Sequence, residues 1–135
     1  MIFKFGLLMD PPTTTAQMHK VGVRNGRPYF YDPPEVKKTK SKLLAYLAAH
    51  RPKEKLKGAL RLKTQWMYQI KGDHKHGEYR ISKPDTDNLQ KLLKDCMTEL
   101  GFWEDDAQVA EEHVAKIWVE NYPGIFIEVE ELNER

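Results

Sequence analysis

The chain has 135 residues, 40% hydrophobic and 31% charged, with one cysteine and a formal net charge of only +2. That length fits one domain, residues 1–135, with enough chain to bury its own core. A lone Cys96 excludes an internal disulfide, and no apolar run approaches the ~20 residues of a membrane span.

Ile2–Met9 has the composition of a first strand, broken by Pro11-Pro12-Thr13-Thr14-Thr15. The N-terminus lacks a basic leader and a small-residue cleavage site, so it is not taken as a signal peptide, and the cytoplasm is the expected compartment. Lys20–Arg24 and Pro28–Tyr31 flank Asn25-Gly26, which predicts a hairpin closed by a type I′ turn with Arg24 and Arg27 at its tip. Asp32-Pro33-Pro34-Glu35 predicts a helix start, with Asp32 as cap and Pro33 in the first helical position. Val36, Leu43, Leu44 and Leu47 mark the apolar side of that helix, and Pro52 stops it. Leu60, Leu62, Thr64, Trp66, Tyr68 and Ile70 alternate with polar residues, which predicts a half-buried strand. Residues 71–83 form a basic loop. Leu89, Leu92, Leu93, Cys96, Met97 and Leu100 then repeat at the spacing of one helical face, ended by Gly101. Two strands follow, about 108–119 and 124–131. The order strand, hairpin, helix, strand, helix, strand, strand predicts a small α+β domain, a mixed sheet with two main helices packed on it.

The small net charge conceals an asymmetry. Residues 1–83 hold 18 Lys/Arg and 6 Asp/Glu, a balance of +12, whereas residues 84–135 hold 4 and 14, a balance of −10. This fits a basic surface for a polyanion beside a cluster of carboxylates. It fits equally two solvated surfaces that attract each other within one fold.

Asp85-Thr86-Asp87-Asn88 stands at the start of the second helix. A capping role explains one aspartate, with Asp87 and Gln90 spaced as a capping box. Two aspartates at i, i+2 in extended backbone point the same way, and converging carboxylates call for a cation between them. Magnesium takes such hard oxygen ligands. Glu104-Asp105-Asp106 follows the helix, either as a solvated loop or as a second ligand group that must fold back to reach Asp85. Lys91 lies four residues after Asp87 and four before Asp95. It is either one rung of a surface ion-pair ladder or a cation beside a phosphate and its metal.

Lys83-Pro84-Asp85-Thr86-Asp87-Asn88-Leu89-Gln90-Lys91 and Gly101-Phe102-Trp103-Glu104-Asp105-Asp106-Ala107-Gln108-Val109 together resemble the signature of the RusA family of Holliday junction resolvases. Both blocks, D-x-D-N-L-x-K and W-x-D-D-x-Q, and their separation match. The match is strong over residues 83–116. The resemblance implies a homodimer with two active sites that cuts four-way DNA junctions symmetrically, with magnesium, in DNA recombination and repair. It implies Asp85, Asp87 and Asp106 as metal-binding catalytic carboxylates and Lys91 as the catalytic lysine, with Asp105 an additional neighbour. Phosphodiester hydrolysis suits that set, since carboxylate-held magnesium activates water and neutralises the leaving oxygen. Lys91 would meet charge building on the phosphate. Arg24, Arg27, Lys37, Lys38, Lys83 and Lys116 are the candidate DNA-backbone contacts.

Other residues carry weaker expectations. His74-Lys75-His76 with Asp73 offers metal-binding imidazoles, but a solvated or DNA-contacting loop is the simpler reading, and imidazoles suit zinc or copper better than magnesium. His113 falls in a strand. Cys96 lies on an apolar helix face, as a small buried hydrophobe would. Phe102 and Trp103 fit either base stacking or core packing. Two rival functions remain: a non-catalytic DNA-binding protein of the same fold, and a magnesium-dependent phosphohydrolase of a small substrate, which would not need the basic first half.

Overall fold

The computed structural model describes residues 1–15, 20–31 and 34–132. In chain order the elements are β1 (Ile2–Leu8), β2 (Lys20–Arg24), β3 (Arg27–Tyr31), α1 (Pro34–Ala48), β4 (Leu60–Gln69), α2 (Thr86–Glu99), β5 (Val109–Val119) and β6 (Gly124–Glu131). This is the expected α+β arrangement. Four strands form one mixed sheet in the order β1-β6-β4-β5, with β4 and β5 parallel and the other pairs antiparallel. Strands β2 and β3 form a separate hairpin. Asn25 and Gly26 at its turn have φ of 54° and 76°, the two positive values a type I′ turn requires. The capping roles expected of Asp32 and Pro33 fall outside the described residues.

Period-two burial decides which way the sheet faces. Leu60, Leu62, Thr64, Trp66 and Tyr68 of β4 are buried. Across the ladder Leu62 pairs with Val129, Thr64 with Ile127 and Trp66 with Ile125, so β6 turns its own apolar set to the same face. Leu43 and Leu47 from α1 and Leu89, Leu92, Leu93, Cys96 and Met97 from α2 join them in one core cluster. Both helices therefore cover the same face of the sheet. Phe102 and Trp103 are fully buried in this cluster, and the Trp103 indole donates to Thr98 Oγ1 at 2.7 Å. Base stacking by either ring is thereby excluded.

Burial pushes the Cys96 thiol up to about 12. A thiol that stays protonated near neutral pH is no nucleophile.

Helix α2 ends where Gly101 adopts φ +82°. Its N–H donates to Thr98 O and that of Phe102 to Met97 O, a Schellman pair that satisfies the last carbonyls. A polar chain fastens the same helix to the sheet. The Trp66 indole donates to Thr64 Oγ1 (2.9 Å), and Thr64 donates to Gln90 Oε1 (2.8 Å). Gln90 Nε2 reaches Glu112 at 3.5 Å, and Glu112 also pairs with Lys94. Because Thr64 and Gln90 are buried, breaking this chain would strand desolvated polar groups. It holds α2 against β4 and β5 and so fixes where the first turn of α2 lies.

Candidate active site

The helix begins at Thr86, with Asp85 as its N-cap in extended backbone (φ −74°, ψ 150°). Asp87 therefore sits inside the first turn. The two aspartates are not brought together by strand alternation, as the i, i+2 spacing suggested; they share the head of a helix, where orphan N–H groups favour negative charge. The Asp85 side chain makes no capping hydrogen bond. Its two oxygens instead lie 3.2 and 3.3 Å from Lys83 Nζ. Asp87 Oδ1 accepts from the Asn88 N–H at 2.9 Å. The Asp87–Gln90 capping box does not form, because Gln90 points inward to Thr64. One further contact steadies this turn: Lys116 Nζ donates to Ser82 O (2.8 Å) and Pro84 O (2.7 Å). Burial lowers the pKa of Lys116, Arg80 and Lys83 nearby lower it too, and Asp85 opposes them.

Lys91 is exposed on the second turn, 3.7 Å from Asp95. Its ammonium is thus on the solvent side of α2, one turn beyond Asp87.

Asp106 is at the other end of α2. Helix α2 has 14 residues, a rise of roughly 20 Å. Strand β5 then returns alongside it, since Lys94 meets Glu112 early in β5 and Pro84 meets Lys116 late in it. From Val109 to Lys116 the strand advances about 23 Å. Asp106, just before β5, is thus about 20 Å from Asp85 within one chain. Among the described residues no three His, Cys, Asp or Glu side chains stand together as a metal site. Asp105 is the N-cap of a short 3-10 turn, Asp106–Gln108. Its Oδ1 accepts from Ala107 N, while Gln108 Oε1 accepts from the N–H groups of Glu104 and Asp105. Gln108 Nε2 also donates to Leu56 O and Gly58 O. Asp105 and Gln108 therefore shape the turn that carries Asp106, whose half-buried carboxylate is left out of that network.

The model of the family "Endodeoxyribonuclease RusA" matches residues 11–130, most of the chain. The chain belongs to the RusA family. The crossover junction endodeoxyribonuclease rusA of Lactococcus phage r1t is 32% identical over 122 residues, covering 89% of this chain and 86% of the phage protein. The RusA proteins of Escherichia coli K12 and Shigella sonnei match locally, at 54% identity over 33 residues, or 24% of this chain and 28% of theirs.

Several cations of the basic first half of this RusA-family chain have partners in the fold. Arg61 pairs with both Glu111 and Glu130, Lys63 with Glu128, Lys55 with Glu104 and Lys40 with Glu99. Part of the charge asymmetry is therefore internal neutralisation between the two halves of the sequence. Arg24 and Arg27 are exposed at the hairpin tip, where they line an open hollow with Asn25 and Pro28. Lys37 and Lys38 are exposed on α1, and Lys83 is exposed beside Asp85. Lys116 is half-buried, its ammonium bound to carbonyls.

Among the described residues the imidazoles form no metal-holding group. His74 Nδ1 meets Glu78 at 2.5 Å and its ring stacks on Trp118, His76 Nδ1 accepts from Glu120 N, and His113 is exposed on the sheet. Arg80 was missed by sequence reasoning. It lies over both Tyr68 and Trp118 (4.2 and 4.7 Å to the ring centroids). Nothing in a basic loop distinguishes one arginine from its neighbours until the sheet brings those rings side by side.

Proposed function

We propose that this RusA-family chain is a magnesium-dependent, structure-selective endonuclease. It resolves four-way DNA junctions by paired, symmetric phosphodiester hydrolysis in recombination and repair, as a homodimer with two active sites. The observation that carries the reading is the head of α2, where Asp85 and Asp87 share one turn and the Asp85 carboxylate takes no part in capping. Hard, partly exposed carboxylates of this kind fit magnesium, which needs only one or two of them and keeps several waters. Bound there, magnesium would make a water nucleophilic and neutralise the leaving oxygen. The chain's own residues do the rest. Lys83 holds the Asp85 carboxylate by charge, Lys116 fixes the turn before it, and Lys91 offers a cation to the phosphate.

The distant Asp106 gives the proposed homodimer a specific form. In a two-fold dimer any contact made once is made twice. A second copy with its α2 antiparallel to the first would bring its own Asp106 to Asp85 and Asp87, and receive the same in return. Each centre would then join Asp85, Asp87 and Lys91 of one copy to Asp106 of the other. Two such centres related by a two-fold axis suit a junction cut on two strands of like sequence.

A small-substrate phosphohydrolase is less well supported, because exposed Arg27, Lys37, Lys38, Lys71 and Lys75 would have no task. A non-catalytic DNA binder would not need a full set of carboxylates. The deciding experiment compares a synthetic four-way junction, a flap and a linear duplex, each in magnesium and in EDTA. Paired nicks in the junction, only with magnesium, are expected; binding without cleavage would overturn the reading.

Charge supplies a second test. Junction binding should weaken steeply with salt, because phosphate contacts release condensed counterions. Lys37 and Lys38 are exposed, whereas Lys40 is occupied by Glu99. Replacing Lys37 and Lys38 with glutamine should lower the slope of log affinity against log salt by about 2, roughly one per phosphate contact. An unchanged slope would move the DNA surface to the Arg24/Arg27 hairpin or the 71–83 loop.

A further inference from the structure

We propose that a hollow beside the head of α2 binds a second, uncleaved phosphate of the DNA strand, with Arg80 as its principal contact. The proposal rests on the nuclease reading above and extends it to a site that none of the paired acidic blocks contains.

The hollow has a volume of about 590 Å³, and Thr13, Lys71, Arg80, Ser82 and Trp118 are among its lining residues. Arg80 is held in place by three contacts. Its guanidinium lies over the Tyr68 and Trp118 rings, and Nη2 donates to Lys83 O. Its Nε is buried with no hydrogen-bond partner, and no carboxylate pairs with the guanidinium among the described residues. Burying part of a charge without a counter-ion is costly. The protein meets that cost with two aromatic faces and one carbonyl, which orients the guanidinium but does not neutralise it. A planar, pre-oriented guanidinium of this kind is the group best matched to a phosphate.

The other walls agree. Lys71 adds a second cation, and Thr13 and Ser82 add hydroxyl donors. Asp10 also lines the hollow, so the local balance is two cations to one anion. A nucleobase fits less well: Arg80 covers Tyr68 and Trp118, and His74 stacks on Trp118 at 4.3 Å, so the rings are already engaged.

Ser82 is three residues before Asp85, so their Cα atoms are at most about 11 Å apart. With DNA rising roughly 3.4 Å along its axis per nucleotide, the hollow suits a phosphate within about three nucleotides of the scissile one. Lys116, bonded to the carbonyls of Ser82 and Pro84, ties the wall of the hollow to the turn that presents Asp85. A phosphate held here would set which bond in the strand faces the carboxylates.

The test is a binding cycle in EDTA, read on synthetic four-way junctions carrying one neutral methylphosphonate at each position near the cut. With wild-type protein, one neutralised position should weaken binding about tenfold, the scale of a lost charged hydrogen bond. Arg80→Gln should bind the unmodified junction about tenfold more weakly and be indifferent to the same substitution. Lys71→Gln should lose part of that sensitivity, and it stands in for Arg80→Gln if the latter melts early. If the losses from protein and DNA changes multiply at every position, Arg80 contacts no phosphate there and the proposal fails. It also fails if an abasic site, and not a methylphosphonate, removes the Arg80 dependence, because the ligand would then be a base. Cleavage of the unmodified junction in magnesium is scored separately, so its absence would overturn the nuclease reading while leaving this cycle interpretable.

Discussion

Asp85→Asn and Asp106→Asn, each as a pure protein, are expected to leave four-way junctions uncut, and a mixture of the two is expected to nick them. Asparagine keeps the shape of aspartate but removes the charge that holds a divalent cation. The Asp85 side chain makes no capping hydrogen bond that the change could remove, and asparagine suits an N-cap as well as aspartate, so Asp85→Asn should fold normally. Asp87→Asn should fold equally and be just as inactive, since the amide oxygen can still accept from Asn88 N. Junction binding should survive in all three, because the proposed reading assigns the DNA backbone to the basic surface and not to the carboxylates.

The mixture reports on where Asp106 acts. If each centre is shared between copies, an Asp85→Asn copy still donates a good Asp106, and an Asp106→Asn copy still supplies a good Asp85 and Asp87. Their mixed dimer has one intact centre and one doubly damaged centre. It should nick one strand and fail at paired cutting. If each centre is built within one chain, every centre in the mixed dimer is damaged, and mixing restores nothing. Subunits are exchanged by co-expression and the products scored as nicked or fully resolved junction. Full activity in any of the three pure variants would show that its carboxylate is not a ligand.

Lys91→Ala is expected to bind junctions almost normally and cut them about a hundred- to a thousand-fold more slowly, the usual loss when one well-placed electrostatic stabiliser is removed. In the resting structure Lys91 is exposed and 3.7 Å from Asp95. A surface pair of that kind contributes little, typically well under about 1 kcal/mol, so the ladder alone predicts almost no phenotype. The catalytic reading predicts a loss confined to the chemical step, because charge on the phosphate develops only in the transition state. Lys91→Arg retains the charge with a different geometry and should rescue in part. Single-turnover cleavage with saturating enzyme separates chemistry from binding. A Lys91→Ala rate within about threefold of wild type, far short of the expected loss, would return Lys91 to the role of Asp95's surface partner.

Local pattern alone was enough for most of the architecture. Period-two alternation marked β4, helical spacing marked the buried face of α2, and Asn25-Gly26 marked the hairpin, each within two residues of its observed place. These features are set by near neighbours, and a residue's face in a strand or helix follows from periodicity. The paired acidic blocks were equally legible, since residue type and spacing were the whole of the signal.

Three features depended on partners remote in the chain. Gln90 had the spacing of a capping residue, yet it turns inward because the sheet places Thr64 and Glu112 where its amide can bond both. Asp106 belongs to the acidic set by motif, but β5 runs parallel to β4 with α2 packed back along it. That topology puts the turn before β5 and the head of α2 at opposite ends of the helix. Arg80 became distinct only once parallel pairing set Tyr68 beside Trp118, giving one guanidinium two rings to lie on. Periodicity determines which face of an element is apolar; the register between elements far apart in sequence determines which polar group meets which.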